Sequence, residues 1–406
     1  KICIYGAGAI GGWIGARLAQ RPGVTLSVVA RGETLLQLQA HGLQLHSGDQ
    51  TQFAKVQASA QPATLGIQDL VIIAVKAPSM LDVAKQIQPL IGPHTVVMTA
   101  MNGVPWWFLQ GFGGAYANTP LKSVDPHEQI ATAIPAQHLI GCVVHASCSL
   151  RAPGEVQHHF GNGLIIGEPD GGSSTRVQAL HQLLRDAGFD ATLSERIQKD
   201  VWYKLWGNMT INPISALTGA TSDKILNDPN LLGFVSAVML EAKAIGAAMG
   251  IAIDQQPEDR HAVTRKLGAF KTSMLQDVQA KRAVELDALV GAVQELGQIT
   301  GVPTPFTDAL MGLARLQAQE LEGGSNQTVQ TRFGLTHFFQ KYHLVLVAHL
   351  RHVGFHLGAD GHDRGVLPLG ILLQAGQVGV VLKAILADVA HEHSGFGGDQ
   401  TQGLDE

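Results

Sequence analysis

The chain has few charged residues, few cysteines and no strong excess of either charge sign. Asp, Glu, Lys and Arg make up 15% of its 406 residues, and the formal net charge is −5 at pH 7. This balance argues against nucleic acid as a partner. The three cysteines, Cys3, Cys142 and Cys148, have neither metal-ligand nor redox spacing. We therefore expect no metal site.

Long hydrophobic runs are also missing. The longest apolar stretches are shorter than the roughly 20 residues that a membrane-spanning helix needs, and no signal-peptide pattern is present. We therefore expect a soluble cytoplasmic protein with no membrane partner. A chain of 406 residues can form two or three domains around large cores.

The most informative stretch is an apolar run that stops at a glycine-rich turn. Residues 2–5 read Ile-Cys-Ile-Tyr, which predicts a buried parallel strand. Glycines follow in the Gly-x-Gly-x-x-Gly spacing of dinucleotide-binding turns, where a helix begins at the pyrophosphate. The residues expected to hold the cofactor here are Gly6, Gly8, Ala9, Ile10 and Gly11.

The end of the second predicted strand indicates which dinucleotide binds. Residues 26–30 are followed by Arg31, where NAD-binding folds usually carry an acid that holds the ribose hydroxyls. A guanidinium suits a 2′-phosphate. The alternative is that Arg31 is a solvated surface arginine, and the nearby Glu33 favours that alternative. We interpret the pattern as an NADP(H) site.

Strands and helices alternate as far as residue 103, as a doubly wound α/β sheet requires. Residues 69–76 and 95–101 predict two more buried parallel strands, with Lys76 and Asn102 at their carboxyl ends. Such ends form the ligand-binding edge of the sheet. Residues 104–137 then interrupt the alternation with three adjacent aromatic residues, and form either a flap over the active site or an insertion packed on its own domain.

The second half of the chain is predicted to be helical. The predicted segments are 174–187, 195–217, 228–250, 257–280, 281–300 and 304–321. We therefore predict a Rossmann-type domain over residues 1–194 and an all-helical domain over 195–323. Residues 324–406 hold eight of the 18 histidines without a consistent metal-ligand spacing. We interpret this tail as lying outside the enzyme core, either disordered or produced by a frameshift or fusion.

Three polar residues fall on one face of a predicted helix. Lys204, Asn208 and Asn212 are four residues apart, so their side chains share that face. One amine and two amides suit a polar substrate beside a group that can give up a proton. The alternative is that the amides cap or bridge helices and that Lys204 is a surface charge.

A second polar set lies at residues 273–285. Ser273, Asp277 and Glu285 recur at multiples of four, which places them on one face if the helix is continuous. Glu285 stands among apolar residues, so a partly buried carboxylate could hold Lys204 charged and oriented. The alternative is a solvated acid beside its basic neighbours.

Together these motifs resemble the ketopantoate reductases (2-dehydropantoate 2-reductases) over about residues 1–322. The resemblance rests on Gly-Ala-Gly-Ala-Ile-Gly-Gly at 6–12, Arg31, Val75-Lys76, Asn102-Gly103, Lys204, Asn208, Asn212-Pro213, Ser273, Asp277 and Glu285, in that order. It implies an active site in the cleft between a Rossmann domain and a helical domain, with a small-molecule 2-oxo acid as the substrate.

The resemblance also implies roles for the polar residues near the substrate. Lys204 would be the general acid that protonates the new alkoxide, with Glu285 on that lysine or on the substrate hydroxyl. Asn208 and Asn212 would bind the hydroxyl end of the substrate. Ser273 would bind its carboxylate.

On the cofactor side, the resemblance implies that Asn102 lies beside the nicotinamide and the substrate, and that Arg31 and Lys76 bind the 2′-phosphate of NADP(H). The implied reaction is hydride transfer from NADPH to ketopantoate, which yields pantoate for pantothenate biosynthesis. Two alternatives stay open: a paralogous NADP-dependent reductase of another bulky 2-oxo acid, and a non-catalytic NADP(H)-binding sensor. A homodimer is compatible with the sequence.

Overall fold

The structure is a computed structural model, and it describes residues 1–321. The tail predicted over 324–406 and the last two residues of the predicted helical domain lie outside the described residues.

The N-terminal half forms a single ten-stranded sheet. Its strands are β1 (Ile2–Tyr5), β2 (Leu26–Val29), β3 (Leu43–Ser47), β4 (Gln50–Ala54), β5 (Gln57–Ser59), β6 (Leu70–Ile73), β7 (Val96–Ala100), β8 (Leu139–Ala152), β9 (Glu155–Gly167) and β10 (Asp190–Leu193). Six of them run parallel in the order β5-β2-β1-β6-β7-β8. This is the order of a doubly wound dinucleotide-binding sheet, so the predicted Rossmann-type fold is confirmed.

The other strands extend the sheet beyond β8. β9 pairs antiparallel with β8, and it pairs in parallel with β10 and with β3. β3 in turn forms an antiparallel hairpin with β4. Side chains alternate between the two faces of each strand. Ile4 therefore packs in one hydrophobic cluster, whereas Cys3, which is fully buried, packs in the other cluster on the opposite face.

Helices cover the sheet and make up the second half of the described chain. They are α1 (Ala9–Leu18), α2 (Gly32–His41), α3 (Met80–Gln86), α4 (Gln129–Ala133), α5 (Thr175–Asp186), α6 (Ile197–Thr218), α7 (Ser222–Asn227), α8 (Pro229–Ala248), α9 (Pro257–Arg265), α10 (Ser273–Gln279), α11 (Ala292–Thr300) and α12 (305–321). A π-helical turn at Asp287–Gly291 precedes α11. The predicted helical architecture of this half is confirmed.

The single helix predicted over 257–280 is wrong. The chain leaves α9 through Gly268, which has a φ of +63°. Thr272 then caps the start of α10, because its hydroxyl accepts a hydrogen bond from the Leu275 amide. Lys281, with a φ of 52°, then ends that segment. Asp277 and Glu285 therefore do not lie on one continuous helix.

The aromatic segment at 104–137 packs into the core. Trp107 and Phe108 are fully enclosed, and the Trp107 indole donates a hydrogen bond of 3.1 Å to the Thr99 hydroxyl. The Phe108 ring centroid lies 6.0 Å from that of Trp202 on α6. The segment is therefore a buried insertion, but it packs on α6 of the predicted helical domain as well as on the sheet of its own domain, which neither alternative predicted.

One helix is both long and apolar, although the sequence predicts no stretch long enough to span a membrane. α8 has 20 residues and a mean hydropathy of 1.6, so by length and composition alone it could cross a membrane. It packs against α6 and α11, and core helices of soluble proteins have the same composition. The cytoplasmic location stays a prediction.

Candidate active site

The glycine-rich turn between β1 and α1 has the geometry that close approach of a phosphate requires. Gly6 has a φ of +97°, and a Cβ at Gly11 would lie 2.1 Å from the Gly6 carbonyl oxygen. Gly8, in contrast, faces open space, with no atom within 4 Å of its hypothetical Cβ. α1 begins there without a side-chain cap or an acidic residue in its first turn. Its free N–H groups and positive dipole end suit a pyrophosphate.

Beside this turn lies a cavity of about 280 Å³ that extends to the end of β2. Arg31 lines it with an exposed guanidinium, and no carboxylate occupies the residue positions at the end of β2. Asp82 stands opposite, 3.6 Å from an Arg31 nitrogen. The residues present therefore fit a dinucleotide, with Arg31 available to a phosphate at its ribose end.

The Lys204 side chain crosses from α6 to the carboxyl edge of the sheet. Its ammonium donates hydrogen bonds of 2.8 Å to Oδ1 of Asn102 and 2.6 Å to the carbonyl of Val144. Asn102 follows β7, and Val144 lies within β8. The lysine is therefore no surface charge, because two elements of the sheet orient it.

Burial lowers the pKa of Lys204 to about 8. The negative charge of Glu285 opposes this shift, and the positive charge of Arg260 adds to it. An ammonium with a pKa near neutrality can give up its proton readily, as a general acid must.

Three further polar side chains on or beside α6 are free. Within residues 1–321, the amides of Asn208 and Asn212 and the hydroxyl of Ser273 make no side-chain hydrogen bond, so these amides neither cap nor bridge helices. α10, which carries Ser273, packs along α6. These groups are therefore available to a polar ligand beside Lys204.

Lys76 joins the sheet to the second polar set. Its ammonium lies 2.6 Å from Asp277 and 3.6 Å from Glu285. Asp277 also receives a hydrogen bond of 3.0 Å from Arg282, and Glu285 receives one of 3.1 Å from the Ala77 amide. Both carboxylates are almost fully buried.

This network lacks the contact with Lys204 that the resemblance implies as one of two roles for Glu285, and the other role, a contact with the substrate hydroxyl, stays a prediction. The negative charge of Glu285 acts on Lys204, but Glu285 makes no hydrogen bond to it. The Glu285 carboxylate contacts Lys76 and the Ala77 amide instead. Burial raises the pKa of Glu285, and the charge of Lys76 opposes that rise. Lys76 forms ion pairs with Asp277 and Glu285 and does not line the cavity that contains Arg31. A contact of Lys76 with the 2′-phosphate stays a prediction.

A second cavity, of about 210 Å³, opens beside Asn102 and Glu285. Its walls are mostly apolar and come partly from the aromatic segment, with Val104, Pro105 and Trp106 among the lining residues. The insertion therefore borders the candidate active site from within the core.

Sequence reasoning missed two partners in this site. It singled out Asp277 but not its ion pair with Lys76, which lies 201 residues away. The Val144 carbonyl carries no sequence signal, since every residue has one. Among the described residues, no group of three or more His, Cys, Asp or Glu side chains could hold a metal ion.

Comparison with known proteins assigns the chain to a family. The family described as "Ketopantoate reductase PanE/ApbA" matches residues 2–171, and its counterpart "Ketopantoate reductase PanE/ApbA C terminal" matches residues 196–318. The two matches cover every strand of the sheet except β10 and most of the described helical half.

Individual relatives agree. The chain is 44% identical over 320 residues to a 2-dehydropantoate 2-reductase of Mesorhizobium japonicum, covering 79% of this chain and 98% of the relative. A crystal structure from Ralstonia solanacearum, assigned to the ketopantoate reductases, is 53% identical with a TM-score of 0.76 and covers 79% and 98% of the two chains. A D-mandelate dehydrogenase bound to NADH and anilino(oxo)acetate, 23% identical with a TM-score of 0.68 over 79% and 99%, shares the fold. The resemblance found in the sequence is confirmed, and the chain is an oxidoreductase that belongs to the ketopantoate reductase family.

Proposed function

We propose that this enzyme reduces 2-dehydropantoate to pantoate with NADPH and that Lys204 is the general acid. The observation that carries the proposal is the Lys204 ammonium on Asn102, beside three polar side chains that have no partner among residues 1–321. The high identity to a 2-dehydropantoate 2-reductase supports the substrate.

The residues of the chain supply orientation and a proton. When bound, the reduced nicotinamide supplies the hydride to the ketone carbon. The Lys204 ammonium stabilises the ketone oxygen as that oxygen gains negative charge, and then donates a proton to it. Asn102 and the Val144 carbonyl fix the direction of this donor. Asn208 and Asn212 hold the hydroxyl end of the substrate.

NADPH is favoured over NADH by the end of β2. Arg31 offers a bidentate, permanently charged group to a 2′-phosphate. An acid that would bind the ribose hydroxyls of NADH is missing from the residue positions directly after β2.

A reductase of another bulky 2-oxo acid is the second candidate. The cavity beside Asn102 and Glu285, of about 210 Å³, has mostly apolar walls that suit the apolar side group of such an acid.

A substrate panel separates the two candidates. We would measure the oxidation of NADPH with ketopantoate, 2-oxoisovalerate and aromatic 2-oxo acids, each also with NADH. The highest kcat/KM with ketopantoate and NADPH is the expected result. A preference for an aromatic acid would assign the reaction to the second candidate, and tight NADPH binding without turnover of any acid would indicate a non-catalytic sensor.

A further inference from the structure

The guanidinium of Arg260 has no acidic partner in the described part of the chain. Arg260 lies on α9, and its Nε is buried without a hydrogen-bond partner. No carboxylate among residues 1–321 forms an ion pair with its guanidinium, and no side-chain hydrogen bond satisfies its terminal nitrogens. A partly buried guanidinium without an anion is costly, so such a site favours an anionic ligand.

The packing of Arg260 against α6 fixes where this charge lies. A Cβ at Gly207 would be 2.4 Å from the Arg260 Nε, so the guanidinium rests directly on the helix at this glycine. Its Cζ also lies 5.4 Å from the centre of the Tyr203 ring, and the Tyr203 hydroxyl is held by Gln255 at 2.7 Å. Gly207 comes one helical turn after Lys204, so both cations occupy one face of α6.

Groups of both charge signs from the described residues lie around this face, and the acids among them are not paired with Arg260. Burial lowers the pKa of His145, and the charges of Lys204 and Arg260 lower it further, whereas Asp200 opposes the shift. His145 adjoins Val144, whose carbonyl accepts a hydrogen bond from Lys204. Glu285 is the acid that acts on Lys204, and it is already paired with Lys76.

We propose that Arg260 binds the carboxylate of the 2-oxo acid substrate and thereby selects 2-oxo acids over neutral ketones. The proposal rests on the proposed function, in which Lys204 meets the ketone oxygen. In a 2-oxo acid the carboxylate is bonded directly to the ketone carbon, so it lies beside the group that Lys204 protonates. A planar guanidinium one turn away can bind it with two parallel hydrogen bonds. Ser273, which carries no charge, can add one further hydrogen bond.

A cycle of enzyme and substrate changes tests this assignment. We would measure kcat and KM of wild type and Arg260→Gln with the best 2-oxo acid and with its uncharged methyl ester. Arg260→Gln is expected to lower kcat/KM for the acid by about 10–150-fold, mainly through KM, the usual effect of losing hydrogen bonds to a charged group. With the ester, kcat/KM should fall by less than about threefold, because the ester has no carboxylate that Arg260 could bind.

Matched variants separate binding from a structural role. Arg265→Gln removes the same charge from an exposed position on the same helix, and should leave the difference between acid and ester unchanged. Arg260→Lys keeps the charge but loses the paired hydrogen bonds, so its loss with the acid should be intermediate. In Arg260→Gln the high-pH limb of the kcat/KM profile should also move to higher pH, because a cation near Lys204 is gone.

Two results would overturn the assignment. The first is an equal loss of kcat/KM with acid and ester in Arg260→Gln, with the high-pH limb unmoved, which would indicate a structural role. The second is a wild type that turns over acid and ester equally well, which would mean that no residue recognises the carboxylate. Failure of the proposed function would look different, since wild type would then bind NADPH and reduce neither compound.

Discussion

The ammonium of Lys204 lies 2.8 Å from the amide oxygen of Asn102, although 102 residues separate the two in the chain. Lys204 belongs to the longest helix of the helical half, and Asn102 follows β7 of the sheet. The two halves of the chain thus meet where a doubly wound sheet binds its ligands.

The low pKa of Lys204 predicts a pH limit on the reaction. The acid must be protonated to donate, so kcat/KM should fall as pH rises through about 8, the pKa of Lys204 in the protein without substrate. An ordinary lysine would stay protonated to about pH 10. The measurement is kcat/KM for the 2-oxo acid against pH. A kcat/KM that stays constant up to pH 10 would exclude Lys204 as the proton donor.

Two glycines of the nucleotide turn should respond differently to alanine. Gly8→Ala meets no atom within 4 Å, so the fold should survive while the added methyl weakens NADPH binding. Gly11→Ala would meet the Gly6 carbonyl at 2.1 Å, so we expect a stability loss of about 1–3 kcal/mol. Thermal unfolding and NADPH titration report the two effects. Gly233→Ala, on an exposed part of α8, is the control: it should leave NADPH binding unchanged and raise stability slightly, because a helix interior favours alanine over glycine.

The pair of Arg31 and Asp82 predicts how cofactor preference can be altered. Arg31→Ala should weaken NADPH binding by about 10–150-fold and leave NADH binding unchanged. Asp82→Asn should tighten NADPH binding by up to about fivefold, since it frees Arg31 from an exposed pair. Titration of both cofactors measures this. Equal effects on the binding of NADH and NADPH would show that Arg31 does not bind the 2′-phosphate.

Lys76→Met should destabilise the fold, because it leaves the buried carboxylate of Glu285 without its cation. We expect a loss of about 1–3 kcal/mol, below the usual cost for a fully buried pair, since Lys76 is half-exposed. Burial raises the pKa of Glu285. The contribution of this carboxyl to the free energy of unfolding is therefore fully present below its ordinary pKa, and it declines as pH rises through the raised pKa.

Lys76→Met raises the pKa of Glu285 further, because Lys76 lowers it. The loss in the free energy of unfolding should therefore be larger at pH 8 than at pH 5. Urea unfolding at the two pH values measures it. Lys85→Met, an exposed change on α3, is the control. If Lys76→Met and Lys85→Met behave alike, the ion pairs of Lys76 contribute no stability.

Local patterns in the sequence predict much of this site. The strand, glycine turn and helix at residues 2–18 follow from an apolar run and glycine spacing, and the polar face of α6 follows from a spacing of four. Lys204 and Asn208 come together because a helix brings them together. Such features need no knowledge of the rest of the fold.

Contacts between distant segments could not be predicted in this way. Lys76 pairs with Asp277 only because α10 packs near the edge of the sheet. The break between α9 and α10 depends on the positive φ of Gly268, and the end of the α10 segment depends on that of Lys281. Arg260 had one unused signal, a glycine in the middle of α6 at position 207. A helix interior disfavours glycine, which here makes room for a guanidinium.

The central claim is that Lys204 donates the proton, and a comparison of two variants tests it most directly. Single-turnover reduction of ketopantoate by enzyme-bound NADPH would be followed for Lys204→Ala and for Lys199→Ala, an exposed lysine on the same helix. The account predicts a rate lower by about 10²–10⁴-fold in Lys204→Ala, the usual effect of removing a positioned acid, with NADPH binding retained and Lys199→Ala unchanged. A Lys204→Ala enzyme that reduces ketopantoate at the wild-type rate would contradict it.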